Sequence, residues 1–263
     1  MANKYLARED APFGANVWKA LDAAMTEAAK GQLAGRRLLD VEGPFGLGLK
    51  SVSLQDEETD DGLITSRMLP LSLIQKPFTL GARDLAHYER AGITLDTRPV
   101  AEAAIAAALQ EDGLIFNGAA GVPGLLTESG AQQRQLAPWE EVGAAANDVI
   151  QAITALDDAG FHGPYALALA PARYNLLYRL YQRGNQSEME HVRMMATAGV
   201  VKAPALKSGG VLLASGRPVA SIVLGQDMSI AFIGPAGADL EFAISESLAL
   251  VVRQPRAICV LSG

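Results

Sequence analysis

The sequence predicts an α+β fold, with helices in the first two thirds of the chain and short strands in the last third. Three patterns support this prediction: an amphipathic run over residues 16–33, an alanine-rich run over residues 99–114, and short apolar runs beyond residue 210. A chain of 263 residues can bury a sizeable core. We therefore expect one elaborate domain or two closely joined ones.

Helical periodicity and helix-forming composition define the predicted helices. Val17, Leu21 and Met25 recur at helical spacing with charges between them, and Pro171 stands at a position suited to a first helical turn. The alanine-rich run is a strong helix former and predicts a long central helix. The predicted helices cover residues 16–33, 99–114, 140–156 and 171–182.

An acidic segment predicts a long hairpin. Residues 55–62 hold five acids in eight positions, which cannot be packed without counter-charges and so form a solvated tip. The flanks, residues 47–54 and 63–74, are the predicted arms. Because an arm with no core of its own is marginally stable, we expect a neighbouring element or chain to hold it.

The last third of the chain reads as strands. Gly, Pro and Asp turns separate short apolar or alternating runs there. The single cysteine, Cys259, lies in the last run, which predicts a buried structural thiol and excludes an intrachain disulfide. The predicted strands cover residues 211–214, 221–224, 229–233, 240–245, 248–252 and 257–261.

Composition excludes several classes of function. Hydrophobic residues make up 49% of the chain and charged residues 19%, which leaves apolar surface for a partner to cover. The net charge of −7 and the lack of a basic arm argue against nucleic acid as a partner. Residues 1–10 have no apolar signal core, and charge or proline interrupts every apolar stretch before the ~20 residues that a membrane span requires. A cytoplasmic location without membrane contact is predicted.

No pattern of catalytic or metal-binding residues stands out. Glu188 and His191 form a Glu-x-x-His pair, but a di-iron site requires a second copy on a facing helix and the sequence has none. No Gly-x-Ser-x-Gly elbow and no phosphate-binding glycine motif is present. We therefore predict no catalytic residue, no metal site and a structural role.

Several strings in collinear order carry a family resemblance. Ala11-Pro12 followed by Trp18 comes first. The remaining strings are QLAGRRLLDVEGP at 32–44, LPL at 69–71, PFTL at 77–80, EDGLIFNG at 111–118, GFHGPY at 160–165 and GQDMSI at 225–230. Together they cover essentially the whole chain, which resembles the shell proteins of family 1 encapsulins, the linocin-like proteins.

The resemblance implies an HK97-like capsid fold and a role as a container. The implied parts are an N-terminal helix and arm (1–44), an extended loop (45–76), a peripheral domain with a spine helix (77–124), an axial domain (125–222) and C-terminal strands of the peripheral domain (223–263). The implied assembly is a closed icosahedral shell of about 60 copies, since the chain is short for the fold. Its implied guests are ferritin-like proteins or dye-decolorising peroxidases, bound through a C-terminal peptide.

The resemblance also implies two sites. The residues expected to face the cargo peptide are Arg36, Asp40, Val41 and Ile230. The residues expected to ring a pore at the five-fold axis lie in the loop 182–190 and are Gly184, Asn185, Gln186, Ser187 and Glu188. Residues 81–84 lack the aromatic residue by which some relatives hold flavin, so no cofactor is carried over.

Alternatives remain for the sites and for the function. Arg36 and Asp40 could merely pair with each other while Val41 and Ile230 are ordinary core, and the loop could lie away from the axis. A prophage-type major capsid protein that encloses nucleic acid would share the fold. An enzyme or a bacteriocin-like secreted factor is a further alternative, disfavoured by the missing catalytic constellation and the missing disulfides.

Overall fold

The computed structural model describes residues 4–92, 94–119, 121–182 and 184–263. Arg183, in the predicted pore loop, lies outside the described residues. Contacts divide the chain into two compact units. Unit 1 comprises Met1–Gln32, Gly43–Glu111 and Leu224–Ala249, and unit 2 comprises Leu33–Glu42, Asp112–Val223 and Leu250–Gly263.

The chain combines helices and strands, which confirms the α+β prediction. The helices are α1 (Ala15–Lys30), α2 (Gly35–Leu38), α3 (Ala82–Ala91), α4 (Arg98–Asn117), α5 (Ala144–Asp158), α6 (Pro171–Leu176) and α7 (Glu188–Met195). The strands are β1 (Asp40–Glu42), β2 (Ser51–Glu58), β3 (Ile64–Pro70), β4 (Ser72–Gly81), β5 (Gly118–Ala119), β6 (Val122–Pro123), β7 (Gln132–Gln135), β8 (Tyr165–Leu169), β9 (Gly199–Lys202), β10 (Gly210–Ala214), β11 (Ala220–Ala236), β12 (Asp239–Val252) and β13 (Ile258–Ser262).

An aromatic cluster forms part of the core of unit 1. Phe242 of β12 stacks on Phe78 of β4 at a centroid distance of 5.2 Å, and Phe232 meets it edge-on at 5.7 Å. Strands β4 and β12 pair antiparallel along their length. Helix α1 buries Val17 and Leu21, the residues whose spacing predicted its inward face.

The acidic segment forms the predicted hairpin of unit 1. Strands β2 and β3 pair antiparallel, with a register shift between Ser53 and Asp56. The predicted tip was too long, because β2 runs on through Glu58 and the exposed turn covers only residues 59–63. The predicted second arm was also too long, since residues 72–74 belong to β4. Residues 51–70, all of which the structure describes, include no buried residue. The hairpin thus has the pairing that the sequence predicted but no core of its own.

Unit 2 is built on a five-stranded sheet in the order β7-β13-β10-β8-β9. Every residue of β8 and β10 is buried, as expected for central strands with near-continuous apolar runs. Helix α5 packs against β10 and β13 and buries Val149, Ala152 and Leu156. Cys259 of β13 is buried, as the apolar run around it predicted, and this burial raises the pKa of its thiol to about 11.

Four of the predicted strands merge into two longer strands, and one predicted helix is shorter than expected. The runs at 221–224 and 229–233 form the single strand β11, because the Gln226 side chain donates to Ser245 and its backbone N–H donates to Ser247 Oγ, which satisfies the polar residues between the runs. The runs at 240–245 and 248–252 likewise form β12. The helix expected over 171–182 ends at Leu176.

Strand β13 pairs with β10 and β7 and belongs to unit 2. The predicted domain boundaries stay predictions.

Candidate functional sites

Residues 33–42 of unit 2 carry three of the four predicted cargo-facing residues. The segment consists of the single turn α2 followed by the short strand β1. Gly35 makes the turn possible, since an added Cβ would lie 2.5 Å from Ile115 Cδ1 of α4. The Asp112 carboxylate accepts hydrogen bonds from Ala34 N at 2.9 Å and Gly35 N at 2.8 Å. It thereby satisfies N–H groups at the start of a turn that has no side-chain cap of its own.

Strand β1 pairs in parallel with Ser221–Val223 at the start of β11, and Glu42 ties it down. The Glu42 carboxylate accepts hydrogen bonds from Ser221 Oγ at 2.5 Å, from Arg253 Nη2 at 2.8 Å and from Arg217. Burial disfavours the charged form of Glu42, but these three hydrogen bonds outweigh burial and lower its pKa. Glu42 is therefore an ionised anchor at the end of the segment.

Between these two anchors lie the predicted contact residues. Arg36 is half-buried on α2, whereas Asp40 and Val41 are exposed on β1. Val41 keeps 42% of its surface exposed, which an ordinary core valine would not.

The fourth predicted residue, Ile230, lies in β11 within unit 1 and is fully buried there. Its carbonyl oxygen accepts a hydrogen bond from Arg8 Nε at 2.9 Å. The structure thus places Arg36, Asp40 and Val41 along one short segment, and it gives Ile230 the burial of a core residue.

The predicted pore loop projects from a closed base in unit 2. Tyr181 N donates to the Gln186 carbonyl at 3.1 Å, and Leu180 forms a β-bridge with Ser187. Ser187 caps α7 through a capping box with Glu190. Gly184, Asn185 and Gln186 are exposed at the tip, while Ser187 is half-buried.

The expectation that Glu188 lines a channel is wrong, because its side chain is fully buried. Its Oε1 accepts hydrogen bonds from Gly143 N at 2.9 Å and Ala146 N at 3.0 Å, at the start of α5, and its Oε2 lies 3.4 Å from Arg179 Nη2. Gly143 at the N-cap of α5 has no side chain to cap that helix, so Glu188 supplies the acceptor.

A signal for this placement was present in the sequence. Ser187 and Glu190 form the Ser-x-x-Glu pattern that starts a helix, and this pattern puts Glu188 in a first helical turn and not in a loop. The burial of Glu188 against α5, about 45 residues away in sequence, had no local signal.

The Glu188 and His191 pair does not form a metal centre. His191 Nδ1 lies 2.9 Å from the Tyr181 hydroxyl, and Glu188 faces α5. In the part of the chain that the structure describes, no group of three or more potential ligands comes together. None of the helices among the described residues has the length and apolar character needed to cross a bilayer.

Solved structures define the class of fold. A virus-like particle from Pyrococcus furiosus matches 93% of this chain and 99% of its own at a TM-score of 0.77 with 23% identity. The capsid of Myoviridae phage XM1 matches 88% of this chain and 92% of its own at a TM-score of 0.63 with 14% identity. The fold is therefore that of HK97-like capsid proteins, as the resemblance implied.

Sequence comparison places the chain within that class. Residues 3–249 match the family Linocin_M18, described as "Encapsulating protein for peroxidase". The type 1 encapsulin shell protein EncA of Myxococcus xanthus is 31% identical, over 98% of this chain and 96% of its own. A diheme-cytochrome-encapsulin shell fusion protein of Kuenenia stuttgartiensis is 29% identical, over 93% of this chain and 72% of its own. The chain belongs to this family of encapsulating proteins and is similar throughout its length to encapsulin shell proteins.

Proposed function

We propose that this chain assembles into a closed icosahedral shell of about 60 copies that encloses a cargo protein bound by a short C-terminal peptide. The observation that carries the proposal is the match to the encapsulating family over residues 3–249, in a chain that spans nearly the full length of the shell protein EncA. The family description and the cytochrome fusion support a redox protein as cargo. A capsid for nucleic acid is not favoured, because the chain carries a net charge of −7 and the likeness to phage capsids concerns the fold alone.

The hairpin β2–β3 is the proposed assembly element. Three apolar side chains in β3 or directly before it are largely exposed. They are Leu63 at 63%, Ile64 at 72% and Met68 at 55%. A hairpin with such side chains in water and no buried residue is stable only when another surface covers it. A neighbouring copy of the chain is the proposed cover.

The segment 33–42 is the proposed cargo-docking surface. Val41 offers an exposed apolar contact, and Asp40 and Arg36 supply one anion and one cation beside it on the same segment. A short peptide with an apolar anchor and flanking charges matches this arrangement. Ile230 stays in the proposal through the family resemblance alone, and it is fully buried within unit 1.

Co-expression with the natural guest tests both parts of the proposal. We expect particles of one uniform diameter by electron microscopy, and we expect Asp40→Lys to lower the guest-to-shell ratio while the particles stay intact. Asp158→Lys is the matched control, because it makes the same charge change at an exposed residue of unit 2 at the end of α5. Equal loading of both variants would refute the docking surface, and only monomers or dimers at all salt concentrations would refute the shell.

The pore is proposed at the loop tip, without Glu188 among its lining residues. If copies meet at a five-fold axis, the exposed groups of the tip are Gly184 and the amides of Asn185 and Gln186. Among the described residues of the tip these groups are neutral and hydrated, and groups of this kind select by size more than by charge. No carboxylate of Glu188 enters this ring, since that group is buried.

The proposed chemistry belongs to the cargo and not to the shell. The relatives are named as shell proteins. Cargo-free shells should therefore lack the peroxidase or ferroxidase activity of loaded shells, and activity in cargo-free shells would overturn this assignment. The cytoplasmic location stays a prediction.

A further inference from the structure

The proposed docking segment, residues 33–42, is held near both ends by carboxyl groups, and several of the side chains between them are exposed. The first anchor is Asp112 of α4, which is fully buried and accepts hydrogen bonds from Ala34 N and Gly35 N. The second is Glu42, whose side chain is 10% exposed. Between the anchors Arg37, Asp40 and Val41 are exposed and Arg36 is half-buried, while Leu38 and Leu39 are buried. All these residues belong to unit 2.

The Asp112 anchor fixes the position of α2. The Asp112 carboxyl group accepts one hydrogen bond on each oxygen, from Gly35 N on Oδ1 and from Ala34 N on Oδ2. The two bonds hold the start of the turn, and the close approach of Gly35 to Ile115 leaves no room for the turn to shift toward α4. Arg36 follows directly in the chain, so its Cα position depends on this anchor.

The Glu42 anchor fixes the end of β1. Glu42 binds Ser221 and two arginines, and Arg253 itself donates to Ser221 Oγ at 2.7 Å and to the Arg217 carbonyl at 2.9 Å. This closed network locks the strand against the start of β11. Asp40 and Val41 directly precede Glu42 in β1, so fixing Glu42 also fixes their backbone positions.

We propose that Asp112 and Glu42 are positioning residues for cargo binding, which hold Arg36, Asp40 and Val41 in the arrangement that a cargo peptide meets. The inference rests on the proposed docking surface. Its physical basis is preorganisation: a segment that is already ordered loses little conformational freedom when a peptide binds, so more of the contact energy appears as affinity.

Loading of a defined probe tests the proposal. The probe is a fluorescent protein fused to the C-terminal tail of the guest that co-purifies with wild-type shells, co-expressed over a range of probe levels. We expect Asp112→Asn and Glu42→Gln each to raise the probe level needed for half-loading about tenfold, because each replaces an acceptor oxygen by an NH₂ group that cannot accept a hydrogen bond. Electron microscopy checks that the shells remain closed.

Asp148→Asn is the matched control. Asp148 also holds a remote segment of unit 2, by accepting from Ala137 N at 2.8 Å and Trp139 Nε1 at 2.7 Å. Asp148→Asn should lower the melting temperature about as much as Asp112→Asn and Glu42→Gln do, without changing the probe level needed for half-loading. Equal loading defects in Asp112→Asn, Glu42→Gln and Asp148→Asn would mean that the anchors act only on stability, and that result would overturn the inference.

A double-mutant comparison separates positioning from stability. In the Asp40→Lys background, the added effect of Asp112→Asn on half-loading should shrink, because both changes act on the same segment. Full additivity would refute positioning. If Asp112→Asn shells fail to form, Glu42→Gln alone carries the test.

The two proposals fail in different ways. Unchanged loading in Asp40→Lys would refute the docking surface itself. A loading defect in Asp40→Lys with normal loading in Asp112→Asn and Glu42→Gln would leave the docking surface standing and refute the positioning role.

Discussion

The hairpin β2–β3 and the segment 33–42 are both proposed to contact another chain, but they are held in opposite ways. The hairpin, whose residues 51–70 are all described, has no buried residue and exposes Leu63, Ile64 and Met68. The segment 33–42 is short, yet Asp112 and Glu42 fix its two ends. Under the two proposals, the surface that recognises a guest is ordered within the chain, whereas the assembly arm depends on a neighbouring copy for its cover.

The largest expected effect comes from removing the hairpin. Replacement of residues 51–70 by a short Gly-Ser turn should abolish shells, because it removes the surface that the neighbour would cover. The subunit should remain folded by circular dichroism, since the removed residues contribute nothing buried to the core. Asp60→Asn with Asp61→Asn, which changes only the exposed turn between β2 and β3, should still form shells in size-exclusion chromatography. Intact shells from the hairpin deletion would show that the two regions do not differ as argued.

The next effect concerns the loop 181–188, which resembles the segment 33–42 in being anchored by a buried carboxylate. Glu188→Ala should destabilise the chain by about 2–3 kcal/mol, because it leaves the N–H groups of Gly143 and Ala146 and the Arg179 guanidinium without their acceptor. Urea unfolding measures the change. Glu190→Ala, which removes one side of the capping box, should cost only about 1 kcal/mol. Equal losses in the free energy of unfolding for the two variants would contradict the role of the buried Glu188 carboxylate as an acceptor for α5.

The Glu42 anchor also predicts a pH dependence. The folded-state pKa of Glu42 is lowered below its ordinary 4.5, so its contribution to stability is present above pH 4.5 and is lost as the pH falls through the folded pKa. Glu42→Gln should lower the melting temperature at pH 7, and the gap to the wild type should narrow below about pH 4.5. If the difference in melting temperature between the wild type and Glu42→Gln stays constant down to pH 3, the ionised form of Glu42 does not contribute to stability.

The smallest expected effect is on passage through the proposed pore. Asn185→Asp should speed the entry of small cations about two- to threefold, because it adds one carboxylate per copy beside the neutral groups of Gly184 and Gln186. Glu188→Gln should leave the entry rate unchanged, since that side chain does not reach water. Uptake of Fe²⁺ by shells of equal cargo content measures both rates. A slower entry in Glu188→Gln would restore that residue to the channel.

Local patterns in the sequence predicted what depends on neighbours in the chain. The spacing of Val17, Leu21 and Met25 located α1, and the acidic run located the hairpin, since periodicity and charge density act within a few residues. Cys259 was correctly placed in the core from the apolar run around it. The collinear strings predicted the family and the fold, both of which the comparisons confirm.

Only the tertiary structure decided which polar residues face inward. Glu188 stands in a polar string and was expected to meet water, but the uncapped start of α5 binds its carboxylate. Glu42, Ser221 and Arg253 are far apart in the sequence and form one network only after β1 joins β11. The physical reason is that a buried charge is stable only where donors from distant segments converge on it, and no local periodicity encodes that convergence.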